Sequence, residues 1–116
     1  YAGDFPFWLA PEQIRLLPVT DEVMGYAETI QSELSAAGIR SRIDRSGERL
    51  GKLIRSGEQQ KIPVLAVIGA QEAEQGTLSL RSRRQGDLGS VARSQVLQAA
   101  TAANAARAAG LELGAS

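Results

Sequence analysis

The sequence predicts an α/β domain in which strands and helices alternate along the chain. Three observations support this fold class: an amphipathic helical pattern over residues 20–38, a continuous apolar run over residues 64–68, and an alternating strand pattern that follows Gly76. With the shorter patterns between them, they give the order β-α-β-α-β-β-α. Such alternation favours a largely parallel sheet covered by helices, and 116 residues are enough for one domain of this kind.

The first strand and the first helix have the clearest patterns. Residues 13–19 have the apolar content of a short strand, and Pro18 suits a position near its end. Thr20 is a suitable N-cap for the helix that follows, and acidic residues occupy its first turn. Gly38 is expected to end the helix in the left-handed conformation. The apolar stripe of the helix consists of Val23, Ala27, Ile30, Leu34 and Ala37.

The middle of the chain is predicted to form a strand, a helix and a second strand. Residues 39–44 alternate as a short strand, and Ser46 is placed to cap a helix over residues 47–60. Pro63 precedes the sequence VLAVI, an apolar run typical of a strand buried on both faces. Gly69 ends this strand, and residues 70–75 are expected to be a strand-like connection.

The last third of the chain is predicted to contain a strand, a turn and a helix. The strand TLSLRSRR begins at residue 77, and its alternate residues face opposite sides. The turn is QGDLGS, and the alanine-rich helix begins at Ser90 or Ser94 and ends near Gly110. Residues 110–116 are expected to be a frayed tail.

Residues 1–11 are predicted to form an arm in front of these elements. Pro6 and Pro11 exclude a helix interior, and the aromatic side chains of the arm are expected to pack on the domain. The chain begins at Tyr1 rather than at Met, so we interpret residues 1–116 as a single domain of a longer protein, with the arm as its linker.

The absent residue types limit the functions that the chain can have. It contains no cysteine and no histidine. Disulfides, thiolate metal sites, histidine bases and histidine-containing triads are therefore excluded, which favours binding over catalysis. No apolar run approaches the roughly 20 residues that span a bilayer, and the first residues lack the features of a signal peptide. We expect no membrane partner and a cytoplasmic location.

A small-molecule α/β enzyme is one alternative. Gly69 follows a strand, but the residues after it match neither the dinucleotide-binding glycine motif nor a P-loop. Glu72 and Glu74 are close in sequence, yet nothing beside them suits general acid–base catalysis. We therefore expect neither a catalytic residue nor a metal site in this chain.

Charge is unevenly distributed although the net charge is zero. Residues 1–39 carry one Arg against six acids, whereas residues 40–61 carry seven Lys or Arg against three acids. Residues 81–93 carry four Arg against one Asp. Two solvated faces explain these blocks equally well, and a surface that contacts phosphates is the more specific interpretation.

The basic residues combine with a carboxylate in a way that suits RNA bases. Arg49, Lys52 and Arg55 lie on the predicted second helix, and Arg81, Arg83 and Arg84 lie on or just after the fourth strand. A guanidinium group can donate two parallel hydrogen bonds to a phosphate or to a base edge. Glu72 supplies an acceptor for an exocyclic amine. Arg and Glu together favour the recognition of unstacked bases over backbone contacts alone.

Four segments occur in order: FPFWLAP at 5–11, AGIR at 37–40, a D-x-S-G-E-R-L-G-K-x-I-R segment at 44–55, and LRSRRQGDLG at 80–89. In this order they resemble the C-terminal anticodon-binding domain of the threonyl-tRNA synthetases over nearly the whole chain. The same domain type occurs in the prolyl, histidyl and glycyl synthetases. The resemblance implies an α/β fold with a mixed five-stranded sheet flanked by three helices, and a fifth strand near residues 87–89.

The resemblance also implies which residues read the anticodon of threonine tRNA. The reader arginine of the family corresponds to Arg81, and its glutamate corresponds to Glu72. A third reader, often asparagine, corresponds to Gly47, which offers no side-chain amide. Ser46, Glu48 or the backbone of Gly47 would then replace it. Arg83 is expected beside the bases, and the residues expected to contact phosphates are Arg49, Lys52 and Arg84.

By the same resemblance, aminoacylation belongs to an upstream catalytic domain that binds ATP, Mg²⁺ and Zn²⁺. This segment is expected to bind none of them. It is expected to be monomeric within a homodimeric parent enzyme, with tRNA and the catalytic domain as its partners. A free-standing anticodon-like accessory or protein-interaction module is the other alternative.

Overall fold

A computed structural model of the chain describes residues 5–113. Its centre is one five-stranded sheet with the strand order β2-β1-β3-β4-β5. The strands are β1 (Ile14–Pro18), β2 (Ser41–Ile43), β3 (Val64–Ile68), β4 (Thr77–Ser82) and β5 (Gly86–Ala92). The helices are α1 (Met24–Ala36), α2 (Leu50–Gln59), α3 (Ala70–Gln75) and α4 (Arg93–Ala106). Short 3-10 turns cover Phe7–Leu9 and Asp21–Val23.

The sheet is mixed, which confirms the α/β fold class with five strands. β1 is parallel to both β2 and β3, while β4 runs antiparallel to β3 and to β5. The parallel part follows from the two helical crossovers α1 and α2, since parallel neighbours need such connections. The largely parallel sheet predicted from alternation alone is therefore wrong for β4 and β5, which short connections join.

The two faces of the sheet are covered unequally. On one face, α1 and α4 pack side by side over a large apolar core that includes Leu16, Ala66 and Leu80. On the other face, α2 alone packs through Leu53 on Leu17 and Leu65, in a smaller apolar cluster. Because α2 connects β2 with β3, it covers the parallel strands and leaves β4 and β5 open on this side.

The N-terminal arm packs on the domain as predicted. Phe7 is fully buried, and its backbone N–H donates to the carbonyl oxygen of Ala109 at 2.8 Å. The Arg40 guanidinium donates to the carbonyl oxygens of Ala10 at 3.0 Å and Trp8 at 2.9 Å. Residues 1–4 of the predicted arm lie outside the described residues.

Four local predictions are wrong, and each has a physical reason. Residues 70–75 form the short helix α3 rather than a strand-like connection, because the Glu72 carboxylate accepts the N–H of Gly69 at 2.6 Å and starts a helical turn. Thr20 provides no side-chain cap: a 3-10 turn precedes α1, which begins at Met24. Of the two predicted starts of the last helix, Ser90 is wrong because it belongs to β5, whereas Ser94 lies one residue after the observed start at Arg93.

The fourth wrong prediction is the frayed tail over residues 110–116. Leu111 is only 2% exposed and belongs to the main core, so the chain is anchored after α4 ends at Ala106 rather than near residue 110. Residues 114–116 of that tail lie outside the described residues. The predicted left-handed end of α1 is confirmed, since Gly38 has a φ of +79°.

Candidate nucleic-acid interface

Arg81 lies on the open face of the sheet. It pairs across the sheet with Leu65 of β3, and directly opposed residues of an antiparallel pair share a face. Leu65 belongs to the apolar cluster under α2, so Arg81 points to the α2 side, beyond the area that α2 covers. Its side chain is partly exposed, and it makes no hydrogen bond or ion pair with another residue of the described range 5–113.

A β-bulge in β5 determines which residue lies opposite Arg81. The register between β4 and β5 shifts after Leu80, which opposes Gly89, whereas Arg81 opposes Asp87. Asp87 accepts the N–H of Gly89 at 2.8 Å, and Gly89 has a φ of +73°. Glycine adopts this conformation without steric cost, which explains the D-L-G sequence.

Glu72 lies at another place on the surface. It follows the carboxyl end of β3, while Arg81 opposes Leu65 near the amino end of that strand. Leu65 and Ile68 are three residues apart in an extended strand, which is about 10 Å. The backbone positions of Glu72 and Arg81 are therefore well separated, and each side chain is partly exposed. Glu72 also lies near Tyr26, whose pKa is raised mainly by burial; Arg93 opposes this rise, and the charges of Glu33 and Glu72 add to it.

The loop between β2 and α2 approaches the same edge of the sheet as Glu72. β1, β2 and β3 are parallel, so the loops after β2 and β3 emerge at one edge, two strand spacings or about 10 Å apart. Gly47 has a φ of +74°, and no other atom lies within 4 Å of the Cβ that a larger residue would carry. Glycine and asparagine are the residues that adopt this conformation most readily.

The structure contradicts the predicted cap at Ser46. The N-cap position of α2 is occupied by Arg49, and no side chain caps the helix. Ser46 instead donates its backbone N–H to Asp44 at 2.9 Å, and its hydroxyl accepts the N–H of Glu48 at 3.4 Å. Burial alone would raise the pKa of Asp44, but the hydrogen bonds from Ser46 and the charges of Arg15 and Arg42 hold it below its ordinary value. Ser46, Gly47 and Glu48 are all exposed.

The predicted phosphate-binding residues do not form one cluster, since Arg49 and Lys52 lie at the start of α2 and Arg84 lies beside Gly110. Arg49, Lys52 and Arg84 are exposed, and Lys52 also lies 3.5 Å from Glu48 in an ion pair. Arg83 is held at the end of α2, where its Nη1 donates to the carbonyl oxygen of Glu58 at 3.3 Å. A cation at this position interacts favourably with the negative end of the helix dipole.

A model of the anticodon binding domain family matches residues 13–102, which is most of the chain. The chain belongs to the anticodon-binding domain family. Threonine–tRNA ligase of Synechococcus sp. (strain CC9605) is 71% identical to this anticodon-binding domain over 113 residues. That match covers 97% of this chain and 18% of the ligase, so the chain spans about a fifth of the length of the curated relatives that it matches.

Solved structures agree with this assignment. The RNA-binding domain of threonyl-tRNA synthetase from Cryptosporidium parvum Iowa II superimposes with a TM-score of 0.81 at 25% identity, covering 96% of this domain and 26% of that chain. Histidyl-tRNA synthetase from Nostoc sp. PCC 7120 superimposes with a TM-score of 0.72 at 26% identity, over 77% of this domain and 21% of that chain.

Two features of the domain were not predicted from sequence. Arg15 is buried on β1, where it donates to Glu12 at 2.6 and 2.8 Å and to Gln60 at 2.7 Å. The hydrogen bond with Glu12 raises the pKa of Arg15 against the effect of burial. The other feature is the position of Glu58, which lines the same cleft as Arg81 although 23 residues separate them in sequence.

The described residues 5–113 contain no group of three or more acidic side chains placed to hold a metal ion. Within the same range, none of the helices combines the length and the apolar character that a bilayer span requires.

Proposed function

We propose that this anticodon-binding domain recognises the anticodon loop of threonine tRNA as part of a threonine–tRNA ligase. The observation that carries the proposal is the Arg81 side chain, which β4 presents on an open sheet face with no partner among residues 5–113. The 71% identity to a threonine–tRNA ligase supports threonine tRNA as the substrate.

Separate parts of the surface contact separate nucleotides in this proposal. Arg81 donates two parallel hydrogen bonds to the edge of one unstacked base. Glu72 uses one carboxylate oxygen to bind the N–H of Gly69, and its second oxygen accepts from another base. Ser46, Gly47 and Glu48 contact a third through the exposed loop after β2. The separation of about 10 Å along β3 fits different bases better than one base held jointly.

The basic side chains around the site hold the RNA backbone. Arg49, Lys52 and Arg84 are exposed and contact phosphates, while Arg83 contributes charge beside the base of Arg81. Such contacts release counterions, so the affinity falls steeply with salt. A domain with zero net charge attracts RNA only through these basic side chains.

The rest of the reaction belongs to other parts of the longer protein. We infer that an upstream domain of the same polypeptide performs the ATP-dependent aminoacylation and binds ATP, Mg²⁺ and Zn²⁺. In this scheme the present segment is a monomeric, non-catalytic part of a homodimeric cytoplasmic enzyme, and it selects the tRNA.

The test is binding of a labelled threonine anticodon stem-loop to the 116-residue chain at low salt, measured by fluorescence anisotropy. Arg81→Ala should weaken binding about 10-fold, because one good bidentate contact contributes about 1–3 kcal/mol. Arg93→Ala is the control: it removes the same charge from a residue that pairs with Glu33 of α1 on the opposite face. It should change the affinity less than about 2-fold. Equal losses of affinity in the two variants would show that Arg81 does not read a base.

A further inference from the structure

Arg81 opens into a cleft between the end of α2 and the β4–β5 hairpin. The cleft has a volume of about 310 Å³, within the lower range of ligand pockets. Ile62 and Leu65 form its apolar floor, and they are 7% and 3% exposed. Arg81 and Arg83 contribute two cations to its walls, and Glu58 contributes a carboxylate.

The charged groups of Arg81 and Glu58 are both available to a ligand. Arg81 and the carboxylate of Glu58 form no ion pair within residues 5–113. Arg83, the other cation of the cleft, donates its Nη1 to the backbone oxygen of Glu58. Asp87 opposes Arg81 across the sheet, but its carboxylate accepts the N–H of Gly89.

Glu72 is unsuited to complete this cleft. It lies beyond the far end of β3, and one of its carboxylate oxygens is held by Gly69. Glu58 is therefore the acidic side chain that shares a cleft with Arg81 and has its carboxylate available.

We infer that Glu58 is a specificity-determining residue that reads, together with Arg81, one unstacked base held in this cleft. The inference rests on the proposed function. The apolar floor takes the face of the base, Arg81 donates to its acceptor atoms, and Glu58 accepts from its amine or imino N–H. A base that lacks the donor leaves the carboxylate of Glu58 without a partner in a partly desolvated cleft, which is how a carboxylate discriminates between bases.

The experiment measures the affinity of Glu58→Gln for four stem-loops: the threonine loop and three loops in which each anticodon base is replaced in turn. Glutamine keeps the size of the side chain and removes the charge. Glu58→Gln should weaken binding of the threonine loop about 10-fold. It should also abolish discrimination at the same loop position as Arg81→Ala. Glu33→Gln, which removes a carboxylate from the opposite face, is the matched control and should leave discrimination unchanged.

Each other outcome has a definite meaning. If Glu58→Gln changes binding of all four loops by one common factor, the residue acts only through its charge and the inference is wrong. Loss of discrimination at a position different from that of Arg81→Ala also overturns it. If the unmodified domain binds all four loops equally, the proposed function fails, and this inference fails with it. Thermal unfolding of each variant verifies that it is folded.

Discussion

Helix α2 lies so close to the sheet that a side chain at one of its glycines should lower the stability of the domain. A Cβ atom added to Gly57 would overlap the Cδ2 atom of Leu65 and lie 3.0 Å from its Cδ1 atom. Leu65 is buried and cannot move without disturbing the apolar cluster under α2. Overpacking of this kind costs about 1–3 kcal/mol, whereas replacing glycine by alanine in a helix contributes about 1 kcal/mol of stability. Gly57→Ala should therefore destabilise the domain by about 1 kcal/mol.

Gly51→Ala is the matched control because it lies on the same helix. No atom surrounds the Cβ of this variant within 4 Å, so it should stabilise the domain by about 0.5–1 kcal/mol. Urea unfolding followed by circular dichroism measures both variants. We expect their free energies of unfolding to differ by about 2 kcal/mol, which corresponds to roughly 8 °C in Tm. If both variants are stabilised equally, α2 does not pack on Leu65 as described.

Three further perturbations test the site and its support. Glu12→Gln leaves Arg15 buried without its carboxylate partner and should lower the free energy of unfolding in urea by about 3 kcal/mol. Arg15→Met should lower it less, and a larger loss in Arg15→Met would contradict this reasoning. Gly47→Ala should cost about 1 kcal/mol, because the left-handed backbone disfavours a Cβ, and Gly47→Asn should cost less; equal losses would disprove the conformational argument. Folding lowers the pKa of Asp44 from its ordinary value of 3.8, so the charged carboxylate stabilises the domain at pH values above 3.8. This stabilisation is lost as the pH falls through the lowered pKa of the folded state. Asp44→Asn should therefore cost about 0.5 kcal/mol at pH 7 and almost nothing near pH 2, and a difference that persists in acid would count against it.

The elements with a strong periodic pattern could be predicted from the sequence. α1 follows its apolar stripe, and the continuous apolar run predicts β3, a central strand that is buried at all but one position. α3 could not be predicted in this way, because AQEAEQ has no apolar stripe and the helix depends on one contact between Glu72 and Gly69. The predicted cap at Ser46 is wrong for a related reason. The Asp44 carboxylate accepts the backbone N–H of Ser46, so these residues form a loop, and α2 begins only at Leu50.

The candidate site depends on tertiary contacts that a sequence pattern does not contain. The alternation of β4 correctly places Arg81 opposite to Leu80 on the sheet, but not beside any particular neighbour. The sequence alone favours Arg81 and Glu72 as joint readers, whereas the strand register places them toward opposite ends of β3, and Glu58 lines the cleft of Arg81. Glu58 reaches the cleft of Arg81 because α2 crosses over the sheet between β2 and β3.

The most direct test of the account is an NMR titration of the isotope-labelled chain with the threonine anticodon stem-loop and with a loop of altered anticodon. We predict that the threonine loop shifts the amide signals of Gly47, Leu65 and Arg81, that the altered loop shifts them much less, and that signals on the outer surfaces of α1 and α4 stay unchanged. Identical shifts with both loops, or shifts concentrated on α1 and α4, would contradict the claim that the open face of the sheet reads the anticodon.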